Sequence, residues 1–321
     1  MHRYVANRLI QGALTGVLVS LVIFAILRIA PGDVAMMIAL EMTGGEEDLV
    51  TEEQLQKIRE DVGLNAPIYM QYLSWIGGWV TGDWGESMFS NEGIWENFMR
   101  KLPVTLELAI LSIALSTILG LPAGVLMALK RDTWIDYTLR IWSLSGLSIP
   151  NFWLATMLLV IGMYIFEWSP QIGFIPFFDD PAGNMSQFFW PAVIVGFSSM
   201  VTKARMMRST MLEVLRQDYI RTAHAKGLSG TMVTYRHAMK NAFIPVITVI
   251  GFSIATIIGG SVIMERIFVL DGIGNMLVEG MNQRDYPVVQ SLVLLFSLWI
   301  VITNLIVDLS YGWLDPRIRF D

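Results

Sequence analysis

The 321-residue chain is 54% hydrophobic and only 16% charged, with a mean hydropathy of +0.54. A soluble domain carries about 25% charged residues, so this is the composition of an integral membrane protein. The absence of cysteine excludes disulfides, thiolate metal sites and a cysteine nucleophile, and the net charge of −6 is spread unevenly. A short cationic start, His2 to Arg8, precedes a charge-free run from Leu9 to Leu27, about long enough to cross a ~30 Å hydrocarbon core as a helix. The apolar region of a cleaved signal peptide is shorter, roughly 7–15 residues, and Arg28-Ile29-Ala30-Pro31-Gly32 makes a poor cleavage site. The first span is therefore read as retained.

From Pro31 to Pro103 the character changes, with thirteen acidic residues against four basic ones. Thr51-Glu52-Glu53-Gln54 offers a helix start, Thr51 as N-cap and Gln54 at the capping-box position. Tyr72, Trp75 and Trp79 fall at i, i+3 and i+7 on one helix face. Such aromatics suit either a helix lying in the headgroup layer or a small subdomain that packs the rings internally. Five more apolar runs follow: Leu108–Leu129, Ile141–Phe166, Met185–Thr202, Asn241–Met264 and Tyr286–Val307. Pro150, inside the second of these, predicts a kink or a break, since proline removes a backbone bond and clashes with the preceding turn. The count is six spans.

Orientation follows from the Lys/Arg bias of short loops. With the N-terminus inside, the cytoplasmic pieces hold Arg3 and Arg8, then Lys130, Arg131 and Arg140, then eight cations from Lys203 to Lys240, then Arg317 and Arg319. The outer pieces are the acidic 31–103 segment, a loop with Glu167, Asp179 and Asp180, and a loop from Glu265 to Asp285 with two cations and four acids. Both termini are expected in the cytoplasm.

The basic segment carries the most information. Leu212, Leu215 and Tyr219 fall at i, i+3 and i+7, which predicts that the fourth span continues as an apolar stripe beyond the membrane. Ala223, Ala225 and Gly227 then leave little side-chain bulk, and Gly227 is a natural terminator for the short helix before it. After Gly230 a second helix is expected to place Met232, Tyr235 and Met239 on one face and Arg236 and Lys240 on another. Pro245 is tolerated if it falls in the first turn of the fifth span. A basic loop resting on anionic lipid heads explains the charge excess, but does not require small residues followed by glycine.

Tyr219-Ile220-Arg221-Thr222-Ala223-His224-Ala225-Lys226-Gly227-Leu228, with Arg236-His237-Ala238-Met239-Lys240-Asn241-Ala242-Phe243-Ile244-Pro245, resembles the coupling-loop signature of ABC-transporter permeases of the oligopeptide/dipeptide import family. Arg221 and Thr222 stand where the wider superfamily has Glu and Ala, and Pro245 lies 18 residues after Gly227, further than in the general pattern. Both departures are typical of the peptide-import branch. The resemblance extends along the chain through Arg28–Asp33, Gly63–Pro67, Gly82–Gly85, Leu102–Leu108, Ser148–Trp153 and Arg284–Gln290. In Leu270-Asp271-Gly272-Ile273-Gly274 a proline usually precedes the glycine, which leaves the local turn open.

The resemblance implies an all-α membrane protein with the six-helix type I importer permease fold, multi-pass in a bacterial or archaeal plasma (inner) membrane. Its pieces would be residues 1–30 (cytoplasmic start and first helix), an extracytoplasmic segment 31–103, a five-helix core 104–312 with its coupling loop at 203–242, and a cytoplasmic tail 313–321. It implies a non-catalytic subunit of the B-type, paired with a homologous permease, two cytoplasmic ATPases and an extracytoplasmic binding protein, in contact with lipid and with no nucleic acid. Tyr219, Arg221, Thr222, Ala223, Ala225, Lys226, Gly227 and Leu228 would couple to one ATPase. The chain lacks a GxxxxGK[ST] phosphate loop, so ATP and Mg would be held by the ATPases. The imported solute would be a short peptide, or alternatively an oligosaccharide, a nickel complex or glutathione.

Other residues are read more plainly. Glu107, about one turn into the second span, is an intramembrane acid and a functional candidate by default, yet near the outer surface it is expected to snorkel or to hydrogen-bond to a neighbour. Asp308 is expected to pair structurally. His224 and His237 have no acidic or thiol partners at ligand spacing, Ser148 and Ser209 have no His/Asp framework, and no HExxH occurs. A secondary transporter would show paired intramembrane charges or interrupted helices in two related halves, and the nearly charge-free spans show no clear repeat.

Overall fold

The computed structural model describes residues 2–29, 33–61 and 63–314. Helix α1 (His2–Ile29) is followed by α2 (Val34–Met42), a single 3-10 turn (Glu47–Leu49), α3 (Glu52–Asp61) and α4 (Ile68–Thr81). Then come α5 (Ile94–Leu129), α6 (Trp134–Ser148), α7 (Asn151–Phe166), α8 (Pro181–Val214) and α9 (Asp218–Ala225). The chain closes with α10 (Gly230–Ile267), α11 (Ile273–Gln283) and α12 (Tyr286–Leu314). Among the described residues five helices are long and apolar enough to cross a membrane, or six if α6 and α7 form one span. Pro31, Gly32 and the expected tail from Asp315 lie outside the described residues.

Proline acts at Pro150 as its chemistry requires. Helix α6 stops at Ser148, Pro150 takes an extended ψ of 137° as the N-cap of α7, and the two helices meet at 93°. Helix α5 begins at Ile94, so the 103/104 boundary falls inside a continuous helix that carries Pro103 and Pro122.

The largest interface joins α5 to α8. Ser112, Ser116, Gly120, Gly124 and Ala128 recur every fourth residue of α5, and all are buried. In lipid, helices gain nothing by hiding apolar surface from one another, so close backbone approach and dispersion hold them together. A Cβ on Gly124 would lie 2.5 Å from the Ala204 carbonyl oxygen. Lys203 is buried in the same seam, its Nζ donating to Ser116 Oγ at 2.5 Å.

Helix α1 packs on α12 and pairs Arg8 with Asp308 at 3.3 Å, the structural pairing expected of that acid. The aromatic face of α4 is turned inward. Tyr72 and Trp75 meet Phe24 of α1 at centroid distances of 5.5 and 6.1 Å, Tyr72 Oη and Ser20 Oγ lie 2.8 Å apart, and Trp79 stacks on Trp84 at 5.2 Å. The rings thus pack on neighbouring helices, while Ile68, Leu73 and Val80 on the rest of α4 stay exposed. The capping box at Thr51 forms in both directions, Thr51 N to Gln54 Oε1 at 3.0 Å and Gln54 N to Thr51 Oγ1 at 3.3 Å.

The loop between the last two long spans holds a helix, α11, and folds over a buried acid in the last turn of α10. Glu265 accepts from Thr105 Oγ1 at 2.8 Å, Ser261 Oγ at 3.2 Å and the Asn275 backbone N–H at 3.0 Å, which ties α5, α10 and the start of α11. A Cβ on Gly272 would sit 2.5 Å from that carboxylate; the turn at 270–274 therefore demands glycine. Nearby, Asp285 accepts from Ser87 Oγ at 2.6 Å, and burial pushes its carboxyl above the usual range. Glu107 of α5 stands beside Asn184 of α8, whose Nδ2 donates to the Ile175 carbonyl at 2.8 Å.

Candidate functional site: the α8–α9–α10 corner

The end of α8 is held by a clamp. Arg208 donates Nε and Nη2 to the two oxygens of the buried Asp136 at 2.9 and 2.8 Å, and the Asp132 backbone N–H adds a third bond at 3.1 Å. This fixes the start of α6 against α8. Of the eight cations from Lys203 to Lys240, Lys203 and Arg208 are thus engaged inside the chain, while Arg205, Arg216, Arg221, Lys226, Arg236 and Lys240 are exposed.

The fourth span continues past Thr202 to Val214, with Leu212 and Leu215 half-buried against one cluster, but the expected stripe breaks before Tyr219. Helix α8 ends at Val214, Gln217 turns extended at ψ 149°, and α9 starts afresh at Asp218. The turn rotates the face, so α9 buries Ile220 and Ala223 and leaves Tyr219 40% exposed. Ile220 and Ala223 sit in one apolar cluster with Val125 and Ala128 of α5, Met207 and Met211 of α8, and Val233 and Ala242 of α10.

Helix α9 ends in a complete Schellman motif. The N–H of Gly227 reaches the His224 carbonyl at 2.9 Å, that of Leu228 reaches the Ala223 carbonyl at 3.3 Å, and Gly227 sits at φ +78°. Such a left-handed position costs a residue with a Cβ about 1–2 kcal/mol, and nothing in the chain lies within 4 Å of where that Cβ would be. Tyr219 Oη accepts from Asn241 Nδ2 at 2.7 Å, which ties α9 to α10.

The second helical stretch also differs from its expected face. Residues Val233–Ala238 form a π-helical turn, whose i→i+5 bonds shift the register. Val233, Thr234 and Ala238 are buried, while Met232 and Tyr235 are 42% and 57% exposed. Pro245 lies inside the continuous helix rather than in a first turn.

The structure brings the named residues to one corner but splits them. Arg221, Thr222, Ala225, Lys226 and Gly227 are exposed, Leu228 is half-buried, and Ala223 faces the bundle. The small size of Ala223 therefore seats α9 on its own chain. Ile220, absent from that set, is the apolar anchor; its signal was the spacing of three to Ala223.

The surface is a short rigid helix with a bare, cationic outer face and no catalytic constellation among its described residues. Residues 120–320 match the family described as binding-protein-dependent transport system inner membrane component, and residues 1–109 match the corresponding N-terminal family. The dipeptide transport system permease protein of Escherichia coli strain K12 is 37% identical, with 99% of each chain covered. A di/tripeptide transport system permease protein of Pseudomonas aeruginosa is 37% identical over 94% of each chain. A chain of the inward-facing MetNI methionine ABC transporter superimposes with a TM-score of 0.54 at 16% identity, over 68% of this chain and 96% of that one. The helices are those of a type I ABC importer permease, and the chain belongs to the family of binding-protein-dependent transport system inner membrane components.

Proposed function

We propose that this chain is the membrane-spanning permease subunit of an ATP-driven importer for short peptides. It forms half of a translocation pathway with a second, homologous permease. Two cytoplasmic ATPases hold the ATP and Mg, and an extracytoplasmic binding protein delivers the peptide. The single observation that carries the peptide assignment is the 37% identity, over nearly the whole of both chains, to permeases named for dipeptides and di/tripeptides. The coupling role is supported by α9, whose exposed face (Arg221, Thr222, Ala225, Lys226) is presented on a helix anchored at Ile220 and stopped at Gly227. The Lys/Arg bias supports a cytoplasmic position for this corner and for both termini.

Gly227→Val tests the coupling. In the assembled transporter the variant is expected to insert and associate normally but to lose ATPase stimulation by the loaded binding protein. Normal substrate-stimulated turnover sinks the assignment. Orientation is tested separately, because the chain has no cysteine of its own. In intact cells stripped of any outer barrier, an impermeant maleimide should label Glu46→Cys at once and Lys226→Cys only after permeabilisation.

A further inference from the structure

Between the C-terminal half of α5 and the N-terminal half of α10 lies a groove of about 1520 Å3, floored by Met207 of α8. Its walls are apolar along most of their length: Ile118, Leu121 and Leu126 on α5 and Phe243, Ile244 and Ile247 on α10. Its other end is polar, with Gln217, Tyr219, Tyr235, Lys240 and Asn241. The lining on α5 runs from Thr117 to Leu129, about 18 Å at 1.5 Å per residue. One leaflet of the hydrocarbon core is about 15 Å deep.

We propose that this groove holds one anionic phospholipid of the cytoplasmic leaflet, with an acyl chain along α5 and its phosphate at Lys240. The groove has the polarity gradient of an amphiphile and the length of one leaflet. Its polar mouth opens in the segment where Arg216, Arg221, Arg236 and Lys240 are all exposed against the acids Glu213 and Asp218, the charge balance that draws anionic headgroups to basic pockets between membrane helices. Tyr219 is both a wall of the groove and part of α9, and its hydroxyl is bonded to Asn241. The bound lipid therefore backs the helix assigned to ATPase coupling. The choice of leaflet rests on the orientation read from the charge bias, which the maleimide experiment tests alone, so the two can fail separately.

The test uses the full chain co-expressed with its partner subunits and reconstituted with photoreactive lipids of matched acyl chain. A phosphatidylglycerol probe is expected to label residues 117–129 and 239–247 several-fold more than a phosphatidylcholine probe. Lys240→Glu should lower that headgroup preference by more than about fivefold, the effect of losing one basic residue at a membrane surface, because it also adds a negative charge. Leu121→Trp should narrow the groove where an acyl chain would lie and cut labelling there while leaving the exposed face of α1, around Leu14 and Leu18, labelled as before. Labelling in proportion to exposed apolar surface overturns the proposal. So does an absence of labelling in these two segments, or a headgroup preference unchanged in Lys240→Glu.

Discussion

The seam between α5 and α8 makes a quantitative prediction through Gly124→Ala. The new Cβ would stand 2.5 Å from the Ala204 carbonyl oxygen and 2.7 Å from Met207 Cβ. Carbon–oxygen contacts rest at about 3.3–3.6 Å, so the helices must part locally by roughly 0.8–1 Å. Backbone cannot swing aside as the end of a side chain can, and a gap of that size forfeits about a quarter to a half of each dispersion contact it opens. Overpacking of this kind costs about 1–3 kcal/mol. Alanine also stabilises a helix over glycine by about 1 kcal/mol, which masks part of the loss. Gly260→Ala supplies the reference: it gains the same propensity, and nothing lies within 4 Å of its added Cβ. The difference between the two variants isolates the clash. Followed by intrinsic tryptophan fluorescence on heating in one detergent, Gly124→Ala should melt about 2–4 °C below Gly260→Ala, since a chain of this length shifts by roughly 1.5 °C per kcal/mol. Equal melting temperatures would refute close backbone approach as the basis of this interface.

Asp136→Ala removes the acid that holds Arg208 and strands the cation in a largely buried position; removal of one partner from such a pair costs about 3 kcal/mol. Limited proteolysis of the 130–140 turn should accelerate accordingly, and Asp136→Glu should restore part of the protection. Glu46, Glu47 and Asp48 are exposed on the 3-10 turn after α2. If this acidic turn docks the proposed binding protein electrostatically, neutralising all three should slow their association at low salt and flatten its salt dependence; unchanged kinetics would exclude such docking. Asp285, whose carboxyl is raised by burial, contributes stability present below the ordinary carboxylate range and lost as pH rises through its raised value. The melting temperature of the native chain should therefore fall relative to Asp285→Asn as pH is raised from about 4 toward 7; parallel curves would contradict this.

What could be read from the sequence was what depends on nearest neighbours in the chain. Gly227 ends α9 because a left-handed C′ position is a local backbone requirement, Pro150 breaks its span because the ring lacks an N–H, and Thr51 with Gln54 closes a capping box within four residues. The readings that failed assumed an unbroken 3.6-residue period. Leu212, Leu215 and Tyr219 share a face only if no turn intervenes, and the extended ψ at Gln217 supplies one. Met232, Tyr235 and Met239 share a face only in an α-helix, and the π turn at Val233–Ala238 redistributes them.

Lys203 shows a third kind of limit. As one of eight cations it counted toward the basic segment, yet it is buried against Ser116, a partner 87 positions away. No pattern near Lys203 announces that partner. A pattern near Ser116 does: Ser112, Ser116, Gly120 and Gly124 form a small-residue ladder inside the run Leu108–Leu129, which length and lack of charge alone had marked as a span. In lipid, small size at every fourth position is the signal of a helix–helix contact, because apolarity is shared by every face. The ladder identifies the face of α5 that must be covered, but which helix covers it, and that Lys203 lies on the covering face, is decided by packing between segments distant in the chain.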